Sequence, residues 1–346
     1  MITLGIDAHK RSHTIVAVDE HGKQLAAKTI ATSTKDHLGL LRWAQSLHED
    51  GQRQWAVEDC RHLSRRLERD LLAAGQAIVR VPPKLMAHVR DSAGTYGKSD
   101  PIDALAVARA ALREPDLPIA RLDGPEREVR LLVDHRESLV NERTRMINRL
   151  RWHLHELDPS WEPGPRCLDR ASAYDQVQQR ITEHDGLVAR LARTLIEHAR
   201  QLTEQINDLE AEITTLITAL TPSLLAVPGC GALTAAKILG ETAGIDRFTS
   251  RHAYARHNGT APLPVWSSNN ARHRLSRTGN RQLNAALHRM ALSQAHWHPD
   301  AKKMMARRRA SGDSGIEALR ILKRRLSDVV FVALQTDLSH SNPPSN

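Results

Sequence analysis

Aromatic residues and cysteines are scarce in this chain. Phe, Trp and Tyr make up 3% of its 346 residues, which argues against folds that bind nucleic acid on a sheet of exposed aromatic rings. Three cysteines occur, at Cys60, Cys167 and Cys230, and no two of them lie close together in the sequence. We therefore expect neither a disulfide framework nor a zinc knuckle, and a reducing cytoplasm suits the chain.

Long apolar segments are missing as well. The sequence has no run of about 18 apolar residues, so we expect no membrane-spanning helix. The N-terminal residues MITLGIDAHK lack the basic and then apolar order of a signal peptide. Hydrophobic residues still make up 40% of the chain, which is enough for cores. At roughly 100–200 residues per domain, the length predicts two or three domains.

Positive charge is concentrated near the C-terminus. The whole chain carries a net charge of +9, whereas residues 226–335 contain 18 Lys and Arg against 6 Asp and Glu. A basic run is often only a solvated face, but this density over a whole domain favours contacts with nucleic-acid phosphates. The candidates for such contacts are Arg272, Arg274, Arg277, Arg281, Arg307, Arg308 and Arg309.

The first 110 residues have the pattern of an α/β domain. Strands are predicted at 2–6, 14–18, 24–30, 55–57 and 77–81, with helices near 36–47 and 62–74. Three meandering strands followed by crossovers are, by fold analogy, the order of a ribonuclease-H-like mixed sheet. A further helix should begin at Ser99 or Asp100, because Pro101 is suited to a first helical position.

Residues 126–220 have the pattern of long helices. One apolar seam repeats every seven residues from Val133 to Leu154. A stronger one joins Val188, Leu195, Leu202, Leu209 and Leu216 to Ala192, Ala199, Ile206, Ile213 and Leu220. An antiparallel coiled-coil arm is the economical interpretation, and a plain helical bundle is the alternative.

The remaining residues predict a mainly helical domain over 223–335 and a disordered tail over 336–346. Near the start of the helical domain, Val227–Gly231 resembles the turn of a helix-hairpin-helix motif. In such a turn Gly229 and Gly231 would let backbone amides approach a phosphate. A glycine-rich turn between two helices is the alternative.

Four acidic residues stand at the ends of predicted elements. Asp7 and Glu58 end strands, whereas Asp100 and Asp103 open a helix and share one face of it. Carboxylates from separate elements can converge on a divalent cation, and Mg²⁺ prefers oxygen ligands. The structural alternatives are a turn residue for Asp7, an N-cap for Asp100 and a helix-dipole partner for Asp103.

Several motifs, taken in order, resemble one known family. They are Gly5–Lys10, Val57-Glu58, Lys98–Ala104, Val227–Gly231, Asn258–Pro262, Arg274–Asn280 and Leu283–Leu287. The set is similar to that of the DEDD transposases of the insertion-sequence family IS110, and it extends over nearly the whole chain. The resemblance implies a RuvC-like catalytic domain at 1–120, a coiled-coil arm at 121–222 and a C-terminal transposase domain at 223–335.

The resemblance also implies a mechanism. Asp7, Glu58, Asp100 and Asp103 would bind Mg²⁺, and a serine of the C-terminal domain would form a covalent link to DNA. Ser267 matches that serine by its distance from Pro262. Ser268 stands where the family commonly has glycine, so it is a competing candidate. Without the resemblance, either serine would be interpreted as a solvated loop residue.

The family resemblance finally implies partners. Members use a structured guide RNA that pairs with target and donor DNA, and they work as tetramers with active sites shared between protomers. Arg272, Arg274 and Arg277 are candidates to hold the DNA backbone, because guanidinium matches phosphate. Two alternatives stay open: a RuvC-like junction nuclease that uses water, and a catalytically silent nucleic-acid-binding protein.

Overall fold

The computed structural model describes residues 1–47, 51–59, 63–83, 85–86, 99–114, 117, 119–120, 124–164, 166–267, 270–275 and 279–341. The chain forms two compact units. The first combines Met1–Gly124 with Gly244–His288 and Lys303–Gln335, and the second combines Pro125–Ala243 with Arg289–Lys302 and Thr336–Asn346. These units divide the chain by compactness, and the predicted domain boundaries at 120 and 222 stay a prediction.

A five-stranded mixed sheet lies in the first unit. Its strands are β1 (Ile2–Ala8), β2 (Ser12–Val18), β3 (Gln24–Ala31), β4 (Arg53–Glu58) and β5 (Ile78–Val81). They are ordered β3-β2-β1-β4-β5, with antiparallel pairing from β1 to β3 and parallel pairing of β4 with both β1 and β5. This arrangement confirms the mixed sheet that the meander and crossovers predicted.

Helices cover both faces of the sheet. These are α1 (Thr34–Leu47), α2 (Arg65–Ala73) and α3 (Asp100–Arg113). Alternate residues of a strand point to opposite faces, and Leu4 and Ile6 pack with residues of α1 and α2. Gly5 therefore faces α3, where an added β-carbon would lie only 2.2 Å from the carbonyl oxygen of Ala104. Because residue 5 has no side chain, α3 can pack directly on the backbone of β1.

The other helices are α4 (Pro125–Leu157), α5 (Ala171–Ile181), α6 (Leu187–Leu220), α7 (Pro222–Leu225), α8 (Ala232–Thr242), α9 (Arg251–His257), α10 (Arg281–Trp297), α11 (Pro299–Ala310) and α12 (Gly315–Ser341). A two-stranded hairpin, β6 (Pro262–Ser267) and β7 (Asn270–Leu275), interrupts the helices of the C-terminal part. Within the described ranges, no helix is both long and apolar enough to cross a membrane.

The two long helices of the second unit run antiparallel. Arg136 of α4 donates a hydrogen bond to Glu210 of α6 at 2.5 Å, and Arg143 donates one to Thr203 at 3.1 Å. As residue numbers rise along α4, those of its partners on α6 fall, which fixes the direction. The long antiparallel pair is therefore present, whereas the coiled-coil geometry stays a prediction.

The predicted seam of α6 is half right. Ala192, Ala199, Leu202, Ile206 and Ile213 are buried. The other seam residues, Val188, Leu195, Leu209, Leu216 and Leu220, are less buried. Positions one residue later, including Ala189 and Ile217, are buried instead. Apart from Leu202, the members of the leucine series therefore flank the contact, whereas alanines and isoleucines lie inside it.

The predicted disordered tail is wrong for residues 336–341, because α12 continues to Ser341. The carboxylate of Asp337 is buried and accepts hydrogen bonds from the backbone nitrogens of Ser223, at 2.8 Å, and Leu224, at 3.2 Å. These bonds satisfy the free N–H groups at the start of α7. Residues 342–346 lie outside the described ranges.

Candidate active site

Asp7 is the buried acid of the candidate site. It lies near the end of β1 on the face covered by α3, and its side chain is 7% exposed. Burial raises the pKa of this carboxyl, and the nearby Asp103 and Asp100 charges raise it further, whereas His9 opposes the shift. The site therefore holds negative charge that the protein only partly compensates, which favours a cation.

Asp100 belongs to the same cluster. Ser99, with φ −149° and ψ 150°, is the N-cap residue of α3, so Asp100 is not the N-cap. The Asp100 carboxylate instead lies 3.4 Å from Nε2 of His9, which is also 3.0 Å from Oδ2 of Asp7. Ligand atoms of these three residues all lie within 4.8 Å of one another.

His9 is the site residue that sequence reasoning missed. It follows β1 by one residue and is about half exposed. An ionised carboxylate can accept a hydrogen bond from its imidazole, and the contact of Nε2 with Oδ2 of Asp7 orients the Asp7 carboxylate. The only indication in the sequence was that His9 follows Asp7 by two residues at the end of a strand. A single histidine at a strand end does not by itself indicate a catalytic or metal site.

Asp103 and Glu58 complete the predicted set of four acids. Asp103 lies in the first turn of α3, and its charge raises the pKa of Asp7. Ile6 pairs with Val57 in the parallel β1–β4 ladder, so Glu58 follows in register beside Asp7. Alternation places Glu58 on the same face as Asp7. This donor set of oxygen atoms suits a hard divalent cation.

Ser267 ends strand β6 and pairs with Asn270 across the hairpin. The predicted loop is therefore wrong for Ser267, because the β-ladder extends to the pair of Ser267 with Asn270. Ser268, the competing candidate, lies outside the described residues. Asp7 and Ser267 both belong to the first compact unit.

A buried polar network fixes the base of this hairpin. The side chain of Asn258 is fully buried, donates to Oγ of Ser327 at 2.7 Å, and accepts from the backbone and the hydroxyl of Thr260 at 3.1 and 2.6 Å. On the other side, a β-carbon at Gly279 would lie 2.3 Å from the backbone nitrogen of Gly259. The motifs at 258–262 and 279–280 therefore hold together the two ends of the segment that carries Ser267.

The predicted phosphate-binding arginines are distributed over three elements. Arg272 and Arg274 lie on β7, opposite Val265 and Leu263. Arg281 begins α10 and is exposed. The last turn of α11 carries Arg307, Arg308 and Arg309, of which Arg308 forms an ion pair with Asp313. Arg277 lies outside the described residues.

The two glycines of the predicted hairpin turn differ. Gly229 has φ +81°, and a β-carbon there would lie 3.2 Å from the carbonyl oxygen of Met290 and from Cβ of Ser293. Its lack of a side chain thus serves the turn and the packing against α10. Gly231 is the N-cap residue of α8, and nothing lies within 4 Å of an added β-carbon. Phosphate binding at this turn stays a prediction.

Comparison with known proteins defines the class. A family model for DEDD transposases matches residues 4–159, and a second, described as "Transposase IS116/IS110/IS902 family", matches residues 222–306. The protein is a transposase, an enzyme that cuts and rejoins DNA strands. With both models matched in order along the chain, it belongs to the IS110 family.

Relatives support this assignment over most of the chain. The protein is 26% identical to the 44.8 kDa protein of insertion element IS116 from Streptomyces clavuligerus, over 96% of this chain and 94% of that protein. It is 25% identical to the 42 kDa protein of IS900 from Mycobacterium paratuberculosis, over 96% and 95%. It is 29% identical to the 43.6 kDa protein of IS110 from Streptomyces coelicolor, over 76% of each chain.

Solved structures of RuvC from Thermus thermophilus also match. One covers 35% of this chain and all of that chain, with 19% identity and a TM-score of 0.26. Another, in complex with a Holliday junction substrate, covers 33% and 94%, with 20% identity and a TM-score of 0.25.

Proposed function

We propose that this transposase cuts and rejoins DNA through a covalent serine intermediate, with Mg²⁺ held by Asp7, Glu58, Asp100 and Asp103. The observation that carries the proposal is the meeting of Asp7 with Asp100 and Asp103 where β1 ends and α3 begins. These carboxylates come from elements far apart in sequence, and their mutual repulsion is costly without a cation.

The chain's own residues orient the acids. Burial of Asp7 excludes water from one side of the cluster, and His9 positions the carboxylate of Asp7 and lies 3.4 Å from that of Asp100. When bound, Mg²⁺ would neutralise charge on the scissile phosphate and favour loss of the proton from an attacking hydroxyl. The close packing of α3 on Gly5 keeps Asp100 and Asp103 in position.

Ser267 would supply the nucleophile. Its oxygen forms a bond to phosphorus while the bond from phosphorus to one sugar oxygen breaks, and that sugar oxygen leaves with a proton. The phosphoserine ester keeps the bond energy of the phosphodiester. A sugar hydroxyl of another strand can therefore attack the ester, release Ser267 and rejoin the DNA. Hairpin β6–β7, fixed at its base by Asn258, would present the serine.

Nucleic acids are the proposed partners. The local positive charge of residues 226–335, including Arg272, Arg274 and Arg281, favours the phosphate backbones of target and donor DNA. By resemblance to the family, a structured guide RNA selects both DNA sequences by base pairing, and the protein acts as a tetramer. The few, well-separated cysteines suit action in the cytoplasm. The protein would then contact shape and backbone.

The decisive experiment traps the covalent intermediate. Guide RNA is transcribed from the non-coding DNA that flanks the gene. Purified protein is incubated in Mg²⁺ with this RNA and with labelled substrate DNA, and the mixture is then denatured and separated by electrophoresis. We expect a labelled protein–DNA adduct with the wild type and with Ser268→Ala, and none with Ser267→Ala. Asp7→Asn should also form no adduct while it still binds nucleic acid with the wild-type salt dependence.

The other outcomes assign the alternatives. Cutting that persists in Ser267→Ala without any adduct would identify a nuclease that uses water. Binding without cutting in the wild type, under conditions where the guide RNA is bound, would identify a silent nucleic-acid-binding protein. An adduct retained in Ser267→Ala and lost in Ser268→Ala would move the nucleophile by one residue.

A further inference from the structure

The second half of α4 exposes a tryptophan between basic residues. The side chain of Trp152 is 75% exposed, and Arg145 and Arg149 precede it by seven and three residues. At 3.6 residues per turn these three positions share one face of the helix. Leu150 and Leu154 lie on the opposite face, buried in the core that α4 forms with α6. We call the residues Arg145, Arg149 and Trp152 the α4 basic face.

This part of the helix has a one-sided charge. Residues 143–155 contain four arginines, two histidines and no acidic residue, whereas the first half of α4 has several acids. Arg143 donates to Thr203, and Arg151 donates to Glu162 and to the carbonyl oxygen of Pro163. These two arginines are therefore structural. Among the described residues, Arg145 and Arg149 have no such partner.

The surroundings of Trp152 differ from those of Trp55, Trp161 and Trp297. Trp55 is fully buried, and the ring of Trp161 is covered by the guanidinium of Arg180 at 5.0 Å. Trp297 is 74% exposed, but its ring packs edge-on against His296 with centroids 4.5 Å apart. Within the described residues, no ring or cation is stacked on Trp152. An indole held in water beside two unpaired guanidinium groups suits a ligand with both a flat ring and negative charge.

We propose that the α4 basic face binds an unpaired segment of RNA, with a base stacked on Trp152 and phosphates on Arg145 and Arg149. The helix rise separates Arg145 from Trp152 by about 10 Å, which allows neighbouring nucleotides to contact both. A base inside a duplex is already stacked, so the ring selects unpaired nucleotides. This inference rests on the proposed function for its RNA, because unpaired loops belong to a guide RNA whereas the DNA substrates are duplexes.

Charge argues against a second copy of this chain as the occupant. Two α4 basic faces in contact would bring four unpaired guanidinium groups together, and like charges at an interface are unfavourable. A polyanion instead gains from each of them. The opposite face of the helix is already buried against α6, so the RNA would lie on the solvent side of the pair.

The test measures binding of a 12-nucleotide single-stranded RNA to the full-length protein by anisotropy and by tryptophan fluorescence. Trp152→Ala should weaken binding by roughly 5- to 150-fold, the range for loss of one stacked base. Trp152→Phe should keep the affinity within about threefold, because Phe still stacks, but lose the fluorescence quenching. Trp297→Ala is the matched control, with equal exposure, and should bind as the wild type does.

The arginines are tested by salt. Arg145→Gln with Arg149→Gln should lower the slope of log K against log salt by about 1.4, since each single-strand phosphate contact contributes about 0.7. Arg145→Lys with Arg149→Lys should restore most of the slope. Equal RNA affinity and equal quenching in Trp152→Ala would overturn the inference. Tighter binding of single-stranded DNA or duplex RNA than of the RNA probe would also overturn it.

A parallel adduct assay, run on the same preparations, keeps this inference separate from the proposed function. Ser267→Ala should abolish the adduct without changing RNA binding. If Ser267→Ala keeps the adduct while Trp152→Ala loses RNA affinity, the proposed nucleophile is wrong and the RNA face stands. If Trp152→Ala changes the oligomeric state and leaves RNA binding intact, the face is an interface between copies and the inference is wrong.

Discussion

Replacing Gly5 by alanine should separate the acids of the candidate site. The new β-carbon would lie 2.2 Å from the carbonyl oxygen of Ala104 and 2.4 Å from the backbone nitrogen of Ala108, both in the backbone of α3. Real β-carbons stay at least 3.0 Å from such atoms, so α3 must move outward by about 1 Å. Overpacking of this kind costs about 1–3 kcal/mol of stability. It also moves Asp100 and Asp103 away from Asp7.

The rate of DNA cleavage should fall even at temperatures where the Gly5→Ala protein is still folded. A displacement of about 1 Å at a reacting centre can reduce the rate about 100-fold, so DNA cutting by Gly5→Ala should drop by that order at temperatures where the protein is folded. The thermal shift produced by Mg²⁺ should shrink as well. Circular dichroism melts with and without Mg²⁺, together with single-turnover cleavage, measure the three effects.

Gly39→Ala is the matched control for Gly5→Ala. Gly39 lies within α1, and nothing is within 4 Å of an added β-carbon. The same substitution there should raise stability by about 0.5–1 kcal/mol, because alanine loses less backbone entropy in a helix. A Gly5→Ala protein with wild-type stability and cleavage would refute the close packing of α3 on β1.

Two further substitutions probe the acids and the hairpin. The pKa of Asp7 is raised in the folded protein, so ionised Asp7 destabilises the cation-free fold above that pKa, and this penalty disappears as the pH falls toward the unfolded value of 3.8. Asp7→Asn should therefore raise the free energy of unfolding at pH 7, by an amount that shrinks toward pH 4 and with the Mg²⁺ response lost; lower stability at pH 7 in chelator would contradict this. Asn258→Ala leaves Ser327 and Thr260 without their buried partner and should cost about 2–3 kcal/mol, measured by urea unfolding. An unchanged unfolding midpoint would show that the network does not fix the hairpin.

Local patterns predicted the elements that place the acids. Ile2, Leu4 and Ile6 alternate with smaller or polar residues, which identifies a strand that ends at the acidic motif. Pro101 marks the first turn of α3 and so placed Asp100 and Asp103 at a helix start. Parallel strands that end at one edge bring such residues together. The position of the acids therefore follows from these local patterns, once the strands that end at Asp7 and Glu58 are assumed to be parallel neighbours.

Long-range contacts account for what the sequence did not predict. Strand β6 contains Pro262 and Pro264, and proline normally argues against a strand because it has no N–H group for the ladder. The pairing of β6 with β7 is visible only in three dimensions. Asp337 ends up buried because it binds backbone nitrogens more than 110 residues away. No local pattern reports such a partner. His9 was missed for a related reason, since its role comes from Asp100, on a distant helix.

Whether one chain completes its own active site can be settled by mixing two inactive proteins. Asp7 and Ser267 belong to the same compact unit, which allows a site within one chain, whereas the family resemblance implies sites shared between protomers. Asp7→Asn chains and Ser267→Ala chains are denatured together and refolded in equal amounts. If sites are shared across a two-fold interface, half of the dimers are mixed and one of their two sites is intact, so about a quarter of wild-type activity returns. If each site lies within one chain, no combination contains both groups, and activity stays absent even where tagged chains show that mixed oligomers have formed. Mixing each variant with wild type controls for refolding, because recovery there depends only on the wild-type share.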